Sequence, residues 1–167
     1  MTGFSPEISR PRVPSSYGIA VQIEGALPWA WATERLARAR NYWVVTASAT
    51  GAPHAMPVWG LWREDALWFA TDRGSRKGRN LAGNPRLSVH LESGDEVATL
   101  QGSVAEMTDA VALEAFAAAY EAKYAFRPDV SPHALKSGVV YVLRPSVALA
   151  WRESDYPQSA TRFVFQG

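Results

Sequence analysis

Two strand-like runs joined by a four-residue turn constrain the fold of this chain more than any other feature. Tyr42-Trp43-Val44-Val45-Thr46-Ala47 is β-branched and aromatic, Ser48-Ala49-Thr50-Gly51 supplies turn residues, and Pro53 to Trp62 extends again. That is the signature of a β-hairpin. The pattern then recurs: Arg63-Glu64-Asp65 turns the chain into Ala66 to Thr71, and Ser93-Gly94-Asp95 joins Leu87 to Glu92 with Glu96 to Ala105. Five such strands with one short helical insertion predict an antiparallel barrel. Gly138 to Leu143, Ala148 to Arg152 and Thr161 to Phe165 read as the last strands, separated by Pro145 and by Tyr156-Pro157.

Within Pro53 to Trp62, period-two geometry sets His54, Met56, Val58, Gly60 and Trp62 on one face and Ala55, Pro57, Trp59 and Leu61 on the other. Both faces are mostly apolar, as for a barrel strand that also meets a subunit interface or a cofactor. Pro57 cannot donate a ladder hydrogen bond, so it marks an edge, a bulge or a place where the strand turns toward a ligand. Two further helices flank the strands. Trp29 to Arg40 follows Pro28 and can pair Glu34 with Arg38, while Thr108 or Asp109 caps a helix running to about Lys123 with Val111, Leu113, Phe116, Ala119 and Tyr120 on its packed side. Residues 1–27 hold Pro6, Pro11, Pro14, Gly18 and Gly25 without periodicity and read as an extended arm able to wrap a partner subunit, leaving 28–167 as one domain.

A chain of 167 residues buries about two-thirds of its unfolded surface, enough for a real core. The formal charge of +1 argues against general nucleic-acid binding, which needs a broadly basic surface. With no cysteine, disulfides and thiol nucleophiles are excluded and a cytoplasmic setting is the expectation. The longest apolar runs fall short of the roughly 18 residues of a membrane span, and the first residues lack a signal-peptide pattern.

Against that near-neutral background, Arg73, Arg76, Lys77, Arg79 and Arg86 fall within fourteen residues, and no acid interrupts them after Asp72. Ser75 is a natural N-cap, and Gly83 followed by Pro85 ends a short helix. The free N–H groups and the partial positive charge of a helix N-terminus suit an anion such as a phosphate monoester or diester, held by Ser75, Arg76, Lys77 and Asn80. The same residues also describe a basic, solvated turn with an ordinary cap. His54, His90 and His133 show none of the spacing of zinc sites, and no nucleophile elbow, Walker loop or Rossmann turn is present. The chemistry is then best assigned to a redox cofactor that the protein binds and orients. Met56-Pro57-Val58-Trp59 would set a strand edge and an aromatic wall against a flat ring, with Thr71 as a polar contact; core and interface packing is the competing role for Met56 and Trp59. Near the C-terminus, Trp151 either packs or stacks, and Arg162 either binds an anionic group across a dimer interface or forms a surface ion pair.

Gly51-Ala52-Pro53-His54-Ala55-Met56-Pro57-Val58-Trp59, Leu67-Trp68-Phe69-Ala70-Thr71, Ser75-Arg76-Lys77-Gly78-Arg79-Asn80-Leu81 and Asn84-Pro85-Arg86, in that order, resemble the pyridoxamine 5′-phosphate oxidase-like split-barrel family, particularly its deazaflavin-dependent branch. The likeness spans about residues 28–167 and departs at Phe163-Val164-Phe165, which stands where near relatives carry a Trp-containing ending. It implies a mainly β (α+β) fold: a six-stranded antiparallel split β-barrel with peripheral helices, forming a homodimer with FMN or the deazaflavin cofactor F-420 in a groove between subunits. By the same resemblance, Ser75, Arg76, Lys77 and Asn80 lie around the cofactor phosphate, Met56 to Trp59 lie along the ring, and Trp151 or Arg162 reaches in from the other subunit. The implied activity is hydride transfer between F-420 and an unsaturated or quinone-like small molecule. Alternatives are an FMN-dependent oxidoreductase and a non-catalytic flavin, deazaflavin or haem carrier.

Overall fold

The computed structural model describes residues 5–166. Nine strands form one antiparallel sheet: β1 (Glu7–Ser9), β2 (Asn41–Ala47), β3 (Pro53–Trp59), β4 (Leu61–Arg63), β5 (Ala66–Asp72), β6 (Arg86–His90), β7 (Glu96–Glu106), β8 (Gly138–Arg152) and β9 (Thr161–Val164). The helices are α1 (Trp29–Arg38), α2 (Arg76–Gly83), α3 (Ala110–Tyr124) and the short α4 (Tyr156–Ser159). The strand order is β1-β9-β8-β7-β6-β2-β3, with β5 pairing the first half of β8 and β4 pairing β5. Among the described residues the fold is mainly β with helices, and its sheet carries nine strands rather than the six expected. None of the described helices is long and apolar enough to cross a membrane.

Two of the differences from the sequence reading have a local cause. The run from Pro53 to Trp62 is two strands, because the chain turns at Gly60 to leave β2 and pair with β5. A Cβ there would lie 2.8 Å from the Trp68 carbonyl, so glycine permits the close approach. The run from Gly138 to Arg152 is one strand, although Pro145 sits in its middle. Pro145 faces Gly102 where the β7 ladder slips its register, in the gap between the β5 pairing that ends at Leu143 and the β9 pairing that begins at Val147. No strand on that side asks for its missing donor.

The described part of the arm packs on its own chain from Glu7 to Arg10. β1 adds to β9, and the Arg10 guanidinium donates to the carbonyls of Gln22, Glu24, Gln158 and Ala160 at 2.5–2.8 Å. Leu27 N–H donates to the buried Thr161 hydroxyl at 2.7 Å, which in turn donates to Ser159 C=O.

The buried side chains divide into two clusters because β5 and β8 are covered on both faces. Leu67, Phe69, Tyr141 and Leu143 join Tyr42, Val44, Leu100 and Phe163 inside the barrel. Ala66, Trp68, Val140 and Val142 face Leu113, Phe116, Tyr120 and Tyr124 of α3 instead. Those four α3 residues recur at helical spacing, and Asp109 caps the helix by accepting from Ala112 N–H at 2.8 Å. This explains why the sequence of both strands reads as continuously apolar.

Candidate functional site

α2 begins where β5 ends, and its first turn is built as the sequence predicts. The Ser75 hydroxyl accepts from Gly78 N–H at 3.0 Å and lies 3.1 Å from the Thr71 hydroxyl, which leaves the amides of Arg76 and Lys77 at the open end of the helix. Gly78 is buried against the preceding turn, where a Cβ would come within 2.3 Å of the Asp72 carbonyl and 2.8 Å of the Arg73 carbonyl. Asp72 turns back on its own loop and accepts from Gly74 N–H at 2.6 Å.

Two basic side chains, Arg76 and Lys77, start from this turn, and both influence His54 on β3. The Arg76 guanidinium lies 3.5 Å from the Pro53 carbonyl on β3. The Lys77 ammonium has no hydrogen bond or ion pair among the described residues, and burial holds it below the ordinary lysine value. His54, on β3, is also pulled below the ordinary histidine value, by burial and then by the charges of Arg76 and Lys77. A partly desolvated cation without a carboxylate is costly unless an anion completes it. The donor set therefore fits a phosphate group.

The other predicted residues divide between this site and elsewhere. Met56 lies two residues from His54 on the same face of β3, opposite Val44, and is 46% exposed. Val58 continues that face but is buried in the barrel core. Pro57 and Trp59 have the opposite parity. Trp59 stacks on Tyr124 of α3 at 4.6 Å with the rings parallel. Its neighbours are held by Lys123, which donates to the carbonyls of Ala39 at 2.6 Å and Gly60 at 2.9 Å and is drawn down to about 8 by burial and by Arg40. Asn80 is buried and donates to the Thr46 hydroxyl at 3.0 Å, tying α2 to β2.

Trp151 and Arg162 lie on the outer face of β8 and β9, four or more strands across the sheet from β3, with Trp151 edge-on to Tyr156. Within one chain they do not meet the cradle. They share their face with half-buried Trp43, Val45 and Leu149, and Trp43 stacks flat on His90.

The other arginines of the basic block have separate duties. Arg73 forms a two-pronged ion pair with Glu106 at 2.7 Å and donates to Gly138 C=O; Arg79 bonds the Gly74 carbonyl. Arg86 lines a groove of about 470 Å³ with Thr46, Pro53, Asn84, Ser88 and Gln101. That groove adjoins the cradle through Pro53 and Thr46, the contacts of Arg76 and Asn80. The larger cavity, about 750 Å³, lies elsewhere, between the start of α3 and residues 127–132, floored by Leu113, Val130, Leu135 and Val139. It holds none of the α2 residues, so volume and charge point to different places; the charge is the better guide to an anionic ligand.

A family model described as pyridoxamine 5′-phosphate oxidase matches residues 31–152, well over half of the chain. The chain belongs to the pyridoxamine 5′-phosphate oxidase family. Solved structures share its fold at low identity. A conserved hypothetical protein, Rv2991, from Mycobacterium tuberculosis is 20% identical over 76% of this chain and 86% of its own, with a TM-score of 0.64. A protein described as an F420 reductase is 22% identical over 69% of this chain and 93% of its own, with a TM-score of 0.56. A heme binding protein from Mycobacterium smegmatis is 21% identical over 75% of this chain and 55% of its own, with a TM-score of 0.60. Among curated proteins no match was found.

His54, which the sequence reading weighed as a metal ligand, has Arg76 and Lys77 as charged neighbours in the structure. Those neighbours come from α2, so no local spacing on β3 signalled them.

Proposed function

We propose that this protein is an oxidoreductase that binds F-420 with its phosphate in the Ser75–Lys77 cradle and passes hydride between the deazaflavin and an unsaturated or quinone-like small molecule. The observation that carries the reading is the unpartnered, half-buried Lys77 ammonium beside Arg76 at the open end of α2. When bound, the cofactor supplies the hydride chemistry. The protein's own groups do the rest: the amides of Arg76 and Lys77 and their side chains take the phosphate, while Met56 gives the ring an apolar, adaptable neighbour. The adjoining groove with Arg86, Asn84, Ser88 and Gln101 offers a polar path for the long anionic tail of F-420, which FMN lacks.

FMN is the second reading, favoured by the family match itself. In either case we propose a homodimer whose contact includes the apolar outer face of Trp43, Val45, Ala55, Pro57 and Leu149. A half-exposed apolar face that runs across neighbouring strands suits association with a second copy. Dimerisation would bring the partner's Trp151 and Arg162 toward the cradle. The test is a side-by-side fluorescence titration with F-420 and FMN, followed by anaerobic mixing of the reduced cofactor with a panel of quinones and activated alkenes. Binding and turnover with F-420 support the reading; tight FMN binding without F-420 affinity transfers it to the second.

A further inference from the structure

The cradle has a third basic member that neither the family match nor the sequence reading assigns to it. His54 sits on β3 one residue from the carbonyl that Arg76 approaches, with Arg76 and Lys77 as its charged neighbours. No acid offsets them from the surrounding elements. Its ladder partner β2 presents Thr46 opposite and has no acidic or basic side chain from Asn41 to Ala47. β3 itself carries no other charge. β5 has only Asp72, which is committed to the Gly74 amide, and Arg79 of α2 is committed to the Gly74 carbonyl. Arg76 approaches the carbonyl next to His54, and Thr46, opposite His54 on β2, holds Asn80 of the same helix. Three basic groups thus lie about the junction of β3 and α2, and the imidazole is the member that can change its charge.

We infer that His54 is a proton-gated third ligand of the anion: when a phosphate enters beside Arg76 and Lys77, the imidazole takes up one proton from solvent and joins the site as a cation. The inference rests on the reading of the cradle as the phosphate site. Its physical basis is reciprocal coupling. In the free protein, desolvation and then the charges of Arg76 and Lys77 pull the imidazole below the ordinary histidine value, which favours its neutral form. An anion at that junction reverses the sign of the local potential, so ligand and proton each strengthen the other's binding. The sign is diagnostic, because a free phosphate monoester is partly protonated near its second pKa of about 6 and would release its own proton on entering a cationic site. Net uptake therefore reports the protein and not the ligand.

The experiment is calorimetric titration of the purified protein with F-420 and, separately, with FMN, at pH 7 in buffers of different ionisation enthalpy. We expect uptake approaching about one proton per cofactor bound, and affinity that falls by up to about tenfold per pH unit between pH 6.5 and 8. His54→Gln abolishes both the uptake and the slope while His90 and His133 remain. His54→Lys, permanently charged, keeps tight binding at pH 8 without uptake. Imidazole NMR gives a readout apart from affinity: the His54 resonance titrates at a higher pH once the cofactor is bound. Tight binding with no net uptake and an unchanged His54→Gln affinity overturns this inference and leaves the phosphate site standing. Failure of both cofactors to bind overturns the two together.

Discussion

Replacing Gly78 by Ala tests the link between backbone packing and the anion cradle. The change looks benign on an eight-residue helix, since alanine is favoured there over glycine by about 1 kcal/mol. The structure says otherwise, because the new Cβ would lie 2.3 Å from the Asp72 carbonyl and 2.8 Å from that of Arg73, where side-chain carbons essentially never come closer than 3.0 Å. The start of α2 must then move from the β5 turn by about 0.7 Å or more. That shift strains the bond from Gly78 N–H to Ser75, 3.0 Å at rest, toward the limit of hydrogen bonding. Overpacking costs about 1–3 kcal/mol and a lost cap about 1 kcal/mol. After the propensity gain the net loss is about 1–3 kcal/mol, which lowers Tm by roughly 2–12 °C for a domain of this size. Urea and thermal unfolding measure it, and a cofactor titration on the folded variant should show about tenfold weaker binding as Arg76 and Lys77 leave their alignment. A Gly78→Ala variant as stable as the parent, or more stable, would refute the close-approach argument.

Other substitutions separate binding from scaffolding. Lys77→Ala should weaken cofactor binding by about 1.5–3 kcal/mol, the scale of a charge-assisted hydrogen bond, and unchanged affinity in a folded variant would remove Lys77 from the phosphate site. Arg73→Ala breaks an ion pair whose side chains are about 40% exposed, so we expect less than about 1 kcal/mol of stability lost and unchanged cofactor affinity; a tenfold loss of affinity would place Arg73 in the site. Thr161→Val should destabilise by about 1–3 kcal/mol, because the buried hydroxyl is the partner of the Leu27 amide and its loss strands that donor. Equal denaturation midpoints would show that the arm's attachment does not depend on it.

The strand pattern was legible because alternation in β2 and β6 matches one buried and one open face, and because Ser75 and Asp109 are caps with their donors in place. Pro145 misled because the gap between two partners of β8 is a property of the sheet and not of the segment. The two-sided apolarity read for Pro53 to Trp62 leaves most of β3 exposed in the single chain, whereas β5 is the strand covered on both faces, its second partner α3 lying well onward in sequence. At the site, the helix start and its charges could be read locally. The diversion of Arg73 to Glu106, the burial of Asn80 on Thr46 and the stacking of Trp59 on Tyr124 depend on tertiary neighbours, so residue type and spacing could not show them. His54 was hidden for the same reason, since its charged neighbours come from another element.

The central claim is that the cradle, and not the larger cavity, receives the cofactor. Backbone amide shifts recorded by NMR during titration with F-420 and with FMN test it most directly. The account predicts the largest changes at Ser75 to Asn80, His54 and Met56, whichever cofactor binds. Changes centred on Leu113, Val130 and Leu135, with Arg76 and Lys77 unmoved, would contradict it.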